Sequence, residues 1–361
     1  MRNLSNDPYG ALKDEDWWWP EVLPDDSDLD PEQNVLSESQ REQFLNFGFL
    51  FLNNLWPETL VAQAAQEARE LFPEEKVIAR SLADPSYLSF SPMPWTHKGE
   101  QSVNLAINQM PLHPRALRAV AELLQSNVED IRLYQDHLIA KVGRPRNPGT
   151  VEAAQTPDGD QDIHVDYGNN TLLVPPRTSG PEVVACLCYY SDVQEAGGAT
   201  HFVQAAPGEL TQYSQGAFNP PNFVFGTHNG SSSDDTGVRS LELTETRYRE
   251  EKPLRYQTGS CVLYRLDAWH RGTPVAPHKV RYTQHHAWKQ KGAEWINWQG
   301  FAPKLAQLPT AYLEKLSVVQ RSVLGFAAPG DPYWTEETLD SVGLRYPGMD
   351  MTTYRTKMRR E

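Results

Sequence analysis

The sequence predicts a mainly β fold flanked by helices, and three observations carry that prediction. Hydrophobic residues make up 39% of the 361-residue chain, which together with glycine places it among globular proteins rather than disordered ones. Its 28 prolines exceed the usual ~5% and call for many turns. The hydrophobic period is helical near both ends and alternating between them. Length alone would allow two domains, but the pattern describes helices, strands and helices around one β core.

Residues 1–36 read as an arm. Nine acids and no Lys or Arg lie between residues 14 and 32, around Trp17, Trp18 and Trp19. An irregular arm whose tryptophans dock on the body is expected; a partner-binding peptide is the sharper alternative. Residues 37–298 read as the main domain. Ser37 with Gln40, or Ser39 with Glu42, forms a capping box, and Gly48 suits a helix C-terminus. The run FLFL after it reads as a short buried strand. Pro57-Glu58 opens a second helix with Val61, Ala65, Ala68 and Leu71 at helical spacing. A third helix fits Pro114 to Gln125.

Alternation then takes over. Arg132 to Gly143, Pro181 to Val193, the GGATHFVQ segment, Thr258 to Leu266 and Lys279 to Trp288 all read as strands. Residues 211–252 are polar and rich in Ser, Gly and Asp, and read as an insertion or lid. Residues 299–361 read as a helical extension packed on the same domain, with helices at Thr310 to Phe326 and Thr335 to Val342.

Charge and cysteine narrow the function. The 33 basic and 47 acidic residues leave a formal charge of −14, which disfavours phosphate backbones and anionic membranes as partners. Three cysteines can build neither a disulfide framework nor a four-thiolate zinc site. Cys186 and Cys188, two apart on a strand, suit core packing. No apolar run reaches the ~18 residues of a membrane span, and the first residues do not read as a signal peptide. The expectation is a soluble cytoplasmic protein.

Ten histidines invite a search for metal ligands. His164-Val165-Asp166 is the only His-x-Asp in the chain, and on an extended segment both side chains point to one side. Downstream, His270 sits at the end of an apolar strand, followed by a Gly/Pro turn and a strand carrying Arg281. Two His and one carboxylate form the facial triad of non-haem Fe(II) oxygenases, which leaves metal positions open. His278, His285 and His286 compete with His270 for the distal place. Arg281, Thr283, His285 and Ala287 share a strand face, so His285 is either an inward residue beside the site or a satisfied core histidine. His201 either lines the pocket or packs.

These motifs resemble the phytanoyl-CoA dioxygenase family of 2-oxoglutarate/Fe(II) oxygenases. His164-x-Asp166, His270 and Arg281 eleven residues later match its pattern. LSESQREQFLNFGFLFLNNLWPETL resembles its helix-Gly-strand opening, and EAGGATHFVQAAPG resembles its Gly-Gly strand and turn. LIAKVG resembles the strand before the metal motif. The likeness runs roughly from Ser37 to Trp288. It departs where Glu209-Leu210 follows Pro207-Gly208 instead of Ser-His, and where Gly272 holds the place of a hydroxyl residue, so Thr273 comes next.

The resemblance implies a double-stranded β-helix (a cupin-like jelly roll) with Fe(II) on His164, Asp166 and His270. It implies 2-oxoglutarate and O2 as cosubstrates, with Arg281, Lys141 and Thr273 as candidate cosubstrate contacts. It implies hydroxylation of an unactivated C–H bond of a small-molecule substrate, with release of succinate and CO2. A non-catalytic or differently metallated cupin-like binding protein or hydrolase is the alternative. Neither the substrate nor the oligomeric state is legible.

Overall fold

Ser37 opens the body of the computed structural model, which describes residues 9–24, 34–84, 89–96, 99–143, 163, 165–166, 181–205, 246–293 and 310–357. Its hydroxyl accepts from Gln40 N while the Gln40 side chain returns to Ser37 N, so Ser37, not Ser39, caps the helix Glu38–Phe47. Gly48 ends that helix in the left-handed region at φ 94°, a conformation glycine adopts without steric cost. Helices follow at Glu58–Leu71 and Pro114–Leu124. Another at Glu74–Ala83 is one that the sequence reading did not anticipate.

The strands are β1 (Glu21–Val22), β2 (Phe49–Asn53), β3 (Ser89–Pro92), β4 (Ile131–Val142), β5 (Val183–Tyr189), β6 (Thr200–Phe202), β7 (Lys252–Pro253), β8 (Cys261–Tyr264), β9 (His270–Gly272) and β10 (Val280–Gln290). They form a seven-stranded sheet in the order β1-β2-β8-β5-β10-β4-β3 and a three-stranded sheet in the order β7-β6-β9. All pairings are antiparallel except β1 with β2. The molecule is a jelly roll of two sheets with helices against the outer face of the larger one.

Alternation along β10 sorts the side chains. Tyr282, Gln284, His286 and Trp288 face the helices, and Arg281, Thr283, His285 and Ala287 face the small sheet. The register carries this sorting to the neighbours, with Arg281 opposite Lys141 and His285 opposite His137 on β4. Two cores result. One, with Cys186, Cys188, Cys261, Leu263 and Trp288, packs on the helices and on Tyr312, Val323, Trp334 and Tyr354 of the C-terminal segment. The other, with Phe49, Phe51, Tyr134, Leu187, Phe202 and Tyr264, fills the space between the sheets.

Two expectations change. His270 does not end the strand before it: β8 stops at Tyr264, a turn follows, and His270 opens β9 in the other sheet. The predicted helix over 310–326 is two short helices, Thr310–Lys315 and Val318–Val323, the second capped by Ser317. Most of the 211–252 segment lies outside the described residues, as does His164. No described helix is long and apolar enough to cross a membrane.

Between Tyr9 and Pro24 the arm is docked. Trp18 N donates to Pro253 O and Trp18 O accepts from Arg255 N, which extends the small sheet by a parallel bridge. Trp17 is buried in the inter-sheet core, and Arg255 lies between the rings of Trp17 and Trp19 at 5.3 and 4.8 Å, a cation–π contact on each side.

Candidate active site

The space between the sheets is where polar side chains gather. His270 lies on the inner face of β9 and is buried. Its Nδ1 is 2.9 Å from Ala268 O, and a carbonyl there requires Nδ1 to carry the proton, so Nε2 keeps its lone pair. That nitrogen is 3.7 Å from Asp166 Oδ2. Asp166 is anchored by its own backbone N–H to Leu266 O at 2.8 Å and by the Tyr264 hydroxyl, which donates to Oδ2 at 2.8 Å. Burial and the neighbouring Asp166 carboxylate push the Tyr264 phenol well up, so it stays a donor. Tyr264 and Phe202 hold the His270 ring at 4.9 and 5.2 Å.

A ring nitrogen and a carboxylate oxygen, each fixed by an outer partner, are donor types that a hard or borderline metal can use. The two ligand candidates described are brought together. The third, His164, is two residues from Asp166 in sequence and lies outside the described residues. Among the described residues no three His, Cys, Asp or Glu side chains form a ligand cluster.

Arg281 lies on the inner face of β10 and is buried. One Nη donates to Gly198 O, while Nε is buried without a partner among the described residues. No acidic side chain pairs with it among those residues. A buried guanidinium without a counter-charge is costly, and a carboxylate is the ligand its planar fork matches. The carbonyl it uses belongs to the Gly197-Gly198 turn, whose φ values are 67° and 63°. A Cβ on Gly198 would come within 2.8 Å of Val275 Cγ2, so glycine is required there.

Lys141 and Thr273 sit at the same end. Lys141 Nζ donates to Thr273 O at 3.1 Å. The Thr273 hydroxyl donates to Ala199 O at 2.6 Å, so it is engaged with the backbone.

Further along the inner face, His137 and His285 stack at 4.7 Å with an interplanar angle of 24°. Gln135 Nε2 is 3.3 Å from His137 Nδ1, and Thr283 Oγ1 is 3.0 Å from His285 Nε2. Burial pulls the His137 imidazole down to about 3. Burial, then the neighbouring His137 and Arg281, pulls His285 well below the usual histidine range. Both rings are neutral at physiological pH. His285 is inward, yet it reaches no ligand position within the described residues. His201 faces the other way, on the outer side of β6, 3.1 Å from Glu251, which also takes a bidentate contact from Arg271.

Sequence reasoning missed Tyr264, His137 and the Gly197-Gly198 carbonyls. The alternation that placed Arg281 inward would have placed His137 inward too, four residues before Lys141 on one strand face. Tyr9 had no local signal at all: its hydroxyl meets Ala199 and Thr273 from the far end of the chain.

No family model matches the chain, and no curated protein does. Solved structures do align with it. The epimerase SnoN, in complex with Fe3+, alpha ketoglutarate and nogalamycin RO, aligns at 12% identity and TM-score 0.44, over 70% of this chain and 83% of that one. The non-heme alpha ketoglutarate dependent carbocyclase SnoK aligns at 13% and 0.44, over 76% and 91%. HygX from Streptomyces hygroscopicus, with nickel and 2-oxoglutarate bound, aligns at 15% and 0.41, over 71% and 88%. At these scores the resemblance carries no inference about the reaction, which rests on the side chains themselves.

Proposed function

We propose that the chain is an Fe(II)- and 2-oxoglutarate-dependent dioxygenase that hydroxylates an unactivated C–H bond of a small molecule, releasing succinate and CO2. The observation that carries this reading is Arg281, a buried guanidinium whose Nε has no partner among the described residues, in the same interior onto which Asp166 and His270 converge. A metal cup alone serves many chemistries. A cup with a buried, unpaired arginine nearby is suited to a metal-chelating acid that has a second carboxylate.

The donor set fits both groups. Asp166 and His270, with His164 as the third ligand, would hold Fe(II). Iron with 2-oxoglutarate and O2 supplies an oxidant able to attack an unactivated C–H bond. Arg281 would take the far carboxylate in its fork, and Lys141 would add positive charge at that end. Tyr264 keeps the Asp166 carboxylate oriented, and Ala268 O keeps His270 in the tautomer that offers Nε2. The neutral His137–His285 pair leaves the cup without competing positive charge. Phe49, Phe51, Phe202 and Tyr134 exclude water from around it, which protects a reactive site from side reactions.

Anaerobic titration tests the reading. The purified protein should bind one Fe(II) per chain, and 2-oxoglutarate should then raise a weak visible charge-transfer band. The His164, Asp166, His270 triple alanine variant should lose both. Full iron binding by that variant removes the triad assignment.

A further inference from the structure

The acidic arm reaches the Arg281 end of the interior, and it does so with one half-buried tyrosine. Tyr9 O accepts from Ala199 N at 2.7 Å and lies 3.3 Å from Thr273 Oγ1. Since the Thr273 hydroxyl already donates to Ala199 O, the Tyr9 proton goes to Thr273 Oγ1. The three bonds close a ring: Ala199 N–H to Tyr9, Tyr9 O–H to Thr273, Thr273 O–H to Ala199 O. Ala199 is fully buried, so without Tyr9 its N–H would have no partner.

That ring touches the pocket on two sides. Gly198, whose carbonyl holds Arg281, is bonded to Ala199. Thr273 O is the acceptor for Lys141 Nζ. Both cationic side chains at this end therefore take their position from backbone groups that Tyr9 pins. Arg281 also acts on Tyr9 electrostatically, holding its phenol down against the larger upward push of burial. The arm reaches the ring through contacts described above: Tyr9 packs on Trp17 at 5.0 Å, and Trp17 is clamped by Arg255.

We propose that Tyr9, carried by the N-terminal arm, is a positioning residue for the carboxylate pocket, so that docking of the arm and binding of 2-oxoglutarate favour each other. The inference rests on the dioxygenase reading for the identity of the ligand. It does not rest on it for the geometry. Tyr9 acts through Gly198 and Thr273; it orients Arg281 and Lys141 and takes no part in the chemistry. Coupling of this kind is reciprocal: whatever factor the docked arm adds to cosubstrate affinity, the cosubstrate adds to arm docking.

Lys13 supplies the readout on the arm. It is exposed and lies between Tyr9 and Trp17, so trypsin cuts after it when the arm lifts. The test uses the full-length protein loaded with Mn(II), which takes the iron's place without turnover, and measures 2-oxoglutarate affinity by calorimetry. Tyr9→Phe keeps the ring and its packing on Trp17 and loses only the hydroxyl. It should weaken 2-oxoglutarate by about fivefold, at the low end of typical couplings, with Mn(II) affinity unchanged. In uncoupled succinate formation by the iron form, KM for 2-oxoglutarate should rise while kcat holds. Saturating 2-oxoglutarate should slow cleavage after Lys13 by a similar factor in the native sequence, and not in Arg281→Ala.

Equal affinity in Tyr9→Phe and the native sequence, with Arg281→Ala losing the ligand, would overturn the arm's role and leave the dioxygenase reading standing. Absence of any 2-oxoglutarate binding to the native, Mn(II)-loaded protein would overturn both.

Discussion

Adjacent residues on β10 show how the two faces of the large sheet differ. His286 points to the helices and is answered there: Nδ1 is 2.9 Å from Asp136 Oδ1, which also accepts from Gln284 Nε2 at 3.0 Å. Gln284 in turn accepts from the Tyr190 hydroxyl at 2.6 Å and donates to Ile107 O at 2.9 Å. Most polar groups of this outer network are answered by protein. His285 and Arg281 point the other way. There the stacked imidazoles offer no charge to each other, and Arg281 keeps a buried N–H with no partner among the described residues. A buried polar group answered by its neighbours specifies the packing. One left without a partner calls for another explanation, of which a bound ligand is one.

Breaking the outer network should have the largest effect on stability and the smallest on ligands. Asp136→Ala removes the partner of His286 Nδ1 and one of the two acceptors of Gln284 Nε2, and loss of one partner in such a buried arrangement costs about 3–5 kcal/mol. Denaturant unfolding should record that loss, while the folded fraction keeps its Fe(II) and 2-oxoglutarate affinity. A matched fall in both affinities would erase the distinction between the faces.

Arg281→Ala should do the reverse. Stability should change little or rise, because a buried charge is removed. The bound carboxylate loses a charge-assisted contact worth about 2–4 kcal/mol, so KM for 2-oxoglutarate should rise roughly 30- to 1,000-fold. Lysine should restore part of it, being a point charge without the fork. An unchanged KM in the alanine variant would remove Arg281 from the site.

His137 gives the inner face a pH signature. Above about pH 6.5 the ring is neutral whether the chain is folded or not. Below that, the unfolded chain takes up a proton that the folded chain refuses until about pH 3. Stability therefore falls as pH falls through that window, by about 2 kcal/mol at pH 5 from this group. His137→Gln should flatten that part of the profile in thermal melts. A variant profile parallel to the native one would mean that His137 is not the group refusing the proton.

The mildest change is Lys141→Met. Its ammonium donates to one backbone carbonyl, a contact worth about 1 kcal/mol or a little more, so KM should rise about five- to tenfold. A loss as large as that of Arg281→Ala would make Lys141 an equal partner in the pocket.

Where a feature depends on local period, much of it was legible, though the helix Glu74–Ala83 was missed. The capping box at Ser37, the Gly48 stop and the long strands all follow from spacing, and the inward face of Arg281, Thr283 and His285 follows from alternation. The His-x-Asp spacing singled out His164 and Asp166, and the resemblance gave them a role. What was hidden depends on distant pairing. Nothing near His270 says that it starts a strand of the second sheet rather than ending one of the first, because β6, its partner, lies 68 residues earlier. Nothing near Tyr9 says that it meets Thr273. The tryptophans gave docking of the arm away, but nothing near them named Arg255 as the side chain they meet.

The strand order sets a timetable for synthesis. β10 is the last strand of the large sheet in sequence and sits inside it, between β5 and β4. Until Gln290 has emerged, the backbone edges of β4 and β5 that will flank it have no partner. At roughly 5–20 residues per second, the ribosome needs about 5–20 s to pass from Tyr189 to Gln290. For that interval the nascent chain carries two open hydrophobic edges, which invite pairing with other chains. Expression yield should therefore depend on chaperones that shield nascent strands, and on any slow codons between those two positions.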